Sequence, residues 1–260
     1  MIRPLLPCLL ILGCAAGEPV LPMLRATPPD VEIVEGTQRT VLSGAALQAQ
    51  ARLIVVTEPV AGEPMLMVAA PLAAVLPARP GTSTVLQCLD GYRVELTAEQ
   101  HAADGAWLAW AAWGRPGFQA LDSKGKTTDL GPYYLVWTDG RKDRPWPYQV
   151  HLMERLSRPA YGPITPAPDA DPTVAQGFGW YESHCAKCHR IAGLGGDLGP
   201  ELGCPVNVTR YWDRAWLARW LANPAEIRRD ARMPPSGLTA PQIEAVIRYL
   251  EYAGTAFPCP

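Results

Sequence analysis

A chain of 260 residues, 48% apolar and 18% charged, is long enough for two ordinary domains and has the balance of a globular protein rather than a membrane bundle or a disordered tail. Its 23 Lys and Arg against 25 Asp and Glu leave a formal charge of −2, and no run of cations interleaves with aromatics. Nucleic acid is therefore excluded as an expected partner.

The N-terminus reads as an export signal over residues 1–13. Arg3 precedes an apolar stretch, Leu5 to Leu12, that is too short to be a permanent membrane span. The stretch ends Ile11-Leu12-Gly13-Cys14, which resembles a bacterial lipobox; the resemblance implies cleavage before Cys14 and lipid on its thiol. An ordinary signal cut near Ala15-Ala16, or an uncleaved anchor, is the alternative. A lipidated Cys14 places the protein on the periplasmic side of a bacterial membrane, held to its surface, and otherwise soluble in the periplasm. Residues 14–37 then read as a tether, rich in proline from Glu18 to Asp30.

Residues 38–157 carry short β-type runs such as Leu53-Ile54-Val55-Val56, Val85-Leu86-Gln87-Cys88 and Tyr133-Tyr134-Leu135-Val136-Trp137, with Ala-rich stretches like Gly44 to Ala51 between them. This predicts an α+β domain. The segments Ala70-Pro71-Leu72, Leu89-Asp90-Gly91-Tyr92, Trp107-Leu108-Ala109, Gly131-Pro132-Tyr133-Tyr134 and Trp146-Pro147-Tyr148 follow one another as in the molybdopterin-binding domain of sulfite-oxidase-type enzymes, which the region resembles. In those enzymes a molybdenum-binding cysteine follows an early strand. Here the corresponding strand, Leu53 to Thr57, runs into Glu58-Pro59, and Cys88 comes too late in the order. The expectation is a scaffold without its cofactor, used for docking or spacing. Asp90-Gly91-Tyr92 and Trp146-Pro147-Tyr148 read first as a turn and an aromatic cluster, and second as a partner surface.

Residues 158–172 contain repeated prolines and read as a linker that lets the following domain swing. From 173 to 260 the pattern is of helices and loops: Trp212 to Ala222 is periodic and stops at Pro224, and Thr239-Ala240-Pro241-Gln242 opens a capped helix before Ile243, Val246, Ile247 and Leu250.

This last region holds Cys185-Ala186-Lys187-Cys188-His189. Thiols three residues apart on one turn face the same way and can add to the two vinyl groups of one haem, which brings the next residue, His189, against the iron. A zinc site would need further ligands, and a thioredoxin-like pair would need a βαβ setting. After His189 there is no histidine and one methionine, Met233, in the stiff segment Arg232-Met233-Pro234-Pro235. His189 and Met233 are thus the expected axial ligands, a pair that suits electron transfer and leaves no open iron position.

With these residues in view, 173–260 is similar to class I c-type cytochrome domains. The resemblance implies that Gly199-Pro200-Glu201-Leu202 is the loop whose proline carbonyl, that of Pro200, accepts a hydrogen bond from His189. It also implies that Gly177 packs across the aromatic Tyr249. His184 is expected in solvent, and Trp212, Trp216 and Trp220 as packing at the haem edge and core rather than as an electron relay. Of the remaining cysteines, Cys204 and Cys259 are the expected disulfide and Cys88 a buried strand thiol, although spacing does not determine connectivity.

The expected fold class is two domains: α+β, sulfite-oxidase molybdopterin-domain-like, followed by all-α class I cytochrome c. The expected function is that of a membrane-tethered periplasmic cytochrome with one covalent haem c at Cys185 and Cys188. It carries single electrons from a dehydrogenase to a respiratory acceptor, with redox proteins as partners and no small-molecule substrate. It is an electron carrier, not an enzyme. The alternative is a haem-containing subunit of, or single-chain, molybdenum-dependent oxidoreductase.

Overall fold

A computed structural model describes residues 27–259 apart from 60, 115–116, 122–124, 141–143 and 158. The expected signal and the lipidation residue Cys14 lie outside the described residues. Among these residues the strands are β1 (Val31–Glu35), β2 (Gln38–Leu42), β3 (Arg52–Thr57), β4 (Pro64–Pro71), β5 (Ser83–Cys88), β6 (Arg93–Leu96), β7 (Ala106–Ala112), β8 (Gln119–Leu121), β9 (Thr127–Asp129), β10 (Tyr134–Trp137), β11 (Val150–Leu156), β12 (Arg190–Ile191) and β13 (Leu194–Gly195). The helices are α1 (Gly44–Ala49), α2 (Leu72–Val75), α3 (Ala98–Ala102), α4 (Pro172–Trp180), α5 (Val208–Tyr211), α6 (Arg214–Ala222), α7 (Pro224–Ile227) and α8 (Ala240–Ala256).

Two sheets make the N-terminal portion, one ordered β2-β1-β11-β5-β6 and the other β10-β7-β4-β3. All their pairings are antiparallel except β1 with β11. Side chains of a strand alternate between faces, so the second sheet feeds two cores. Val68, Ala70, Leu108, Leu135 and Trp137 join Val31, Leu86 and Met153 in one core. Met67, Ala69, Ala109, Tyr134 and Val136 face the other way and are covered by Phe118, Ala120 and Leu130. Burial on both faces explains why Tyr133 to Trp137 is an unbroken apolar run. The first sheet begins inside the segment that composition marks as tether, since β1 pairs with both β2 and β11.

In the C-terminal portion α4, capped by Asp171, crosses α8, whose Thr239 N–H donates to Gln242 as the sequence predicts. The crossing is at Gly177, where a Cβ would lie 1.9 Å from the Ala245 carbonyl oxygen and 2.9 Å from Tyr249 Cβ. Tyr181, Val246, Tyr249 and Leu250 fill the core around it. Cys204 and Cys259 form a disulfide, joining the loop before α5 to the segment after α8.

The expected fold class needs correction. The chain is mixed, with 13 strands in four sheets among the described residues, and the region after residue 172 is not all-α. Directly after His189, β12 and β13 form a hairpin closed by Ala192 and Gly193, both at positive φ (51° and 78°). Left-handed backbone at both turn positions is what the right-handed twist of a tight hairpin requires. Strands of two residues carry no alternation, so pattern reading passes over them.

The proline-rich stretch before residue 172 touches the C-terminal portion. Tyr161 and Ile164 are buried in the C-terminal core, the Tyr249 hydroxyl donates to the Ile164 carbonyl (2.9 Å), and Ala167 N–H donates to the Tyr252 hydroxyl (3.1 Å).

Candidate functional site

The Cys185–His189 segment is held by the turn that ends α4. Past Trp180 the backbone widens into a π-helical turn, Tyr181–Cys185, and the N–H groups of Cys188 and His189 both donate to the Cys185 carbonyl (3.0 and 2.9 Å). The Tyr181 hydroxyl donates to the His189 carbonyl at 2.9 Å. Gly196 N–H returns to Ala186 O (2.8 Å) and Gly199 N–H to Cys188 O (2.8 Å), so the chain folds back over the motif. The Glu201 carboxylate then accepts from the N–H groups of Ala192, Gly193 and Gly203, which pins the hairpin to this loop.

The imidazole of His189 sits 2.8 Å, Nδ1 to oxygen, from the Pro200 carbonyl. A carbonyl can only accept, so Nδ1 carries the proton and Nε2 keeps its lone pair. Burial lowers the imidazole's pKa, against the opposing pull of the Pro200 bond, which favours this neutral form. The close approach demands glycine at 199, where a Cβ would stand 2.4 Å from His189 Cε1.

His189 and Met233 line one cavity of about 480 Å³. Cys185 lines it too, among Leu202, Trp216 and Leu250. Cys188 is half-buried and is not among the lining residues. The Met233 sulfur accepts a hydrogen bond from Trp220 Nε1 at 3.2 Å. A thioether sulfur has two lone pairs, so one is occupied by Trp220 and the other is left for a metal. A neutral imidazole nitrogen, a thioether and a thiol around an apolar cavity fit a haem with His and Met ligands.

Other expected features fall as follows. His184 is exposed, with Nδ1 2.8 Å from the Ser183 hydroxyl. Glu58, which follows β3, is fully buried and accepts from the Tyr134 hydroxyl (2.6 Å) and Ala61 N–H (2.5 Å). The Cys88 thiol is buried and unpaired, its pKa pushed up to about 12 by burial and by Asp90, so it is protonated at neutral pH.

Sequence reasoning missed the Trp220–Met233 contact and a bridge from the N-terminal portion onto the motif. In that bridge Arg93 N–H donates to Lys187 O (2.9 Å) and Asp197 N–H to Gly91 O (2.7 Å). Gly91 has φ +88°, and a Cβ there would lie 2.8 Å from the Asp197 carbonyl carbon. The Asp-Gly dipeptide was the available signal: it marks a turn, but not what the turn touches.

The family described as cytochrome c oxidase, cbb3-type, subunit III matches residues 172–250. No curated protein matches the chain. The match covers the motif, the Gly199-Pro200 loop, Trp220 and Met233, and with the geometry above it identifies the C-terminal region as a c-type cytochrome domain, a class that carries haem c.

Proposed function

We propose that this chain is an exported monohaem electron carrier built of two portions, the two-sheet portion from β1 to β11 and the cytochrome portion 173–260, with residues 158–172 between them. Haem c is bound through thioethers at Cys185 and Cys188, with His189 and Met233 as axial ligands and Pro200 orienting His189. Cys14 carries lipid and holds the protein on the periplasmic face of a bacterial membrane. There the chain passes single electrons from a dehydrogenase to a respiratory acceptor. The observation that carries this reading is the pair of ligating atoms on one apolar cavity: Nε2 of His189, freed by the Nδ1–Pro200 bond, and the half-buried sulfur of Met233. When bound, the haem supplies a one-electron couple. The protein orients its ligands, excludes water through the apolar lining, and leaves no iron position for substrate.

The test is the full chain matured in a host that attaches haem c, compared with Met233→Ala. The expected result is one covalent haem per chain, no molybdenum, and a near-infrared thioether-to-iron band that the variant lacks. A band unchanged in Met233→Ala would remove Met233 as ligand, and one molybdenum per haem would make the protein an enzyme. Cys14→Ser is expected to release the protein from membranes into the periplasmic fraction.

A further inference from the structure

At one end of the sheet β2-β1-β11-β5-β6 the core face turns polar. Register sets Gln38 of β2, Glu35 of β1 and Arg155 of β11 side by side across three strands, two positions on from the apolar pair Ile33 and Met153. The segment after α2 folds over this end. Arg155 Nη2 donates to the Pro77 carbonyl (2.8 Å), and Arg79 Nη1 donates to both oxygens of Glu35 (2.6 and 2.8 Å). Between these groups lies a cavity of about 320 Å³, lined by Glu35, Gln38, Thr40, Arg79 and Arg155 with apolar side chains behind them.

The charges around this cavity do not cancel, because two guanidiniums share one carboxylate. Arg79 takes up Glu35, and Arg155 Nη1 stays 3.7 Å from it, too far for a hydrogen bond. The Arg155 side chain is only 6% exposed, and its Nε has no hydrogen-bond partner among the described residues. Burial and the like charge of Arg79 lower its pKa, against the pull of Glu35, but a guanidinium keeps its proton. A buried cation with an open N–H, next to a second cation, is costly unless an acceptor of opposite charge meets it. Nothing on the sheet supplies that acceptor: the remaining polar groups on the cavity are the Gln38 amide and the Thr40 hydroxyl, which can donate as well.

We infer that this cavity is a binding site for a small inorganic oxyanion, sulfate or phosphate, held by Arg155 and Arg79 with Gln38 and Thr40 as neutral donors. A guanidinium edge matches two oxygens of such an anion. The donors come from β2, from β11 and from the segment after α2, which suits an acceptor whose oxygens do not lie in one plane. The excess of one positive charge on the lining sets the sign of the ligand. The site belongs to the N-terminal portion and does not rest on the carrier reading.

The experiment is isothermal titration calorimetry of the full haem-loaded chain with sulfate and with phosphate. Ionic strength is held constant with chloride, and the stoichiometry separates a site from the general stabilisation that these anions give folded proteins. One anion per chain is expected. Arg79→Gln, at a side chain 56% exposed, removes a cation and frees Glu35 to pair with Arg155; it is expected to weaken binding about tenfold. Glu35→Gln removes the competing carboxylate and is expected to tighten binding. Arg155→Gln is expected to abolish it, and if that variant does not fold, the opposed shifts of the other two carry the test. No binding at millimolar anion, or an affinity that neither Arg79→Gln nor Glu35→Gln changes, would overturn the site and leave the haem reading untouched. Acetate bound as tightly as sulfate would overturn the assignment to a tetrahedral anion.

Discussion

At Gly199 a single hydrogen in place of a methyl group lets the loop lie against the imidazole and deliver the Pro200 carbonyl to Nδ1. Gly199→Ala is expected to push the ring off that carbonyl. With His189 as the proposed ligand, losing a bond that favours ferric over ferrous iron raises the midpoint potential, by up to roughly 40 mV for a one-electron couple were all of its about 1 kcal/mol differential. Potentiometric titration checks this, and a potential equal to wild type would mean the bond has no electronic role. His101 gives a second prediction at this scale. It is buried, with Nδ1 2.8 Å from the Thr84 hydroxyl and Nε2 against the Leu76 carbonyl. Burial is the main cause of its lowered pKa, opposed by the Leu76 bond and reinforced by Arg155. A folded-state pKa below the unfolded one means that the unfolded chain binds the extra proton. This contribution is therefore complete above the unfolded value of about 6.5 and lost as pH falls below it. Denaturant titrations at pH 7.5 and 5.5 are expected to show a smaller loss of stability in His101→Gln than in wild type.

The crossing of α4 over α8 separates two glycines of the same helix. A Cβ on Gly177 would enter the Ala245 carbonyl, whereas a Cβ on exposed Gly179 would meet nothing within 4 Å. Gly177→Ala is expected to force the helices apart at a cost of about 1–3 kcal/mol. Gly179→Ala is expected to stabilise by about 0.5–1 kcal/mol, because alanine loses less backbone freedom in a helix. Equal effects in urea unfolding would show that the crossing can open without strain. Part of this element was legible in advance: the Thr239–Gln242 box and the Gly177–Tyr249 packing are local signals or parts of a known pattern, whereas the Asp171 cap lay inside the stretch read as linker. The hairpin β12–β13 was not, because two-residue strands are specified by turn backbone and by the Glu201 carboxylate from outside the hairpin.

Across the whole molecule, the Gly91–Arg93 turn is hydrogen-bonded to the haem motif and the proline-rich stretch is packed along the C-terminal core. Glu95 reinforces this by accepting from Ala160 N–H at 3.1 Å. Hydrogen bonds therefore join the two portions both at the Cys185–His189 motif and along the proline-rich stretch. Gly91→Ala introduces both a left-handed alanine and a clash with Asp197. Calorimetry is expected to resolve the single unfolding transition of the haem-loaded protein into two, with the Met233 band retained in the variant. A variant that still unfolds in one step would show that the bridge does not couple the portions.

By itself the sequence pointed to the chemistry: a contiguous Cys185–His189 motif and one later methionine are the residues on which the expectation of a haem site rests, because attachment geometry is local and ligand types are few. Strand runs and helix caps were legible for the same reason, being set by neighbours along the chain. Only the tertiary structure decided which ring hydrogen-bonds the Met233 sulfur, that three stacked indoles line the cavity beside it, and that the Asp90–Tyr92 turn closes on the Cys185–His189 motif. Those contacts join residues far apart in sequence, and their energy comes from packing and shared hydrogen bonds that no local pattern encodes.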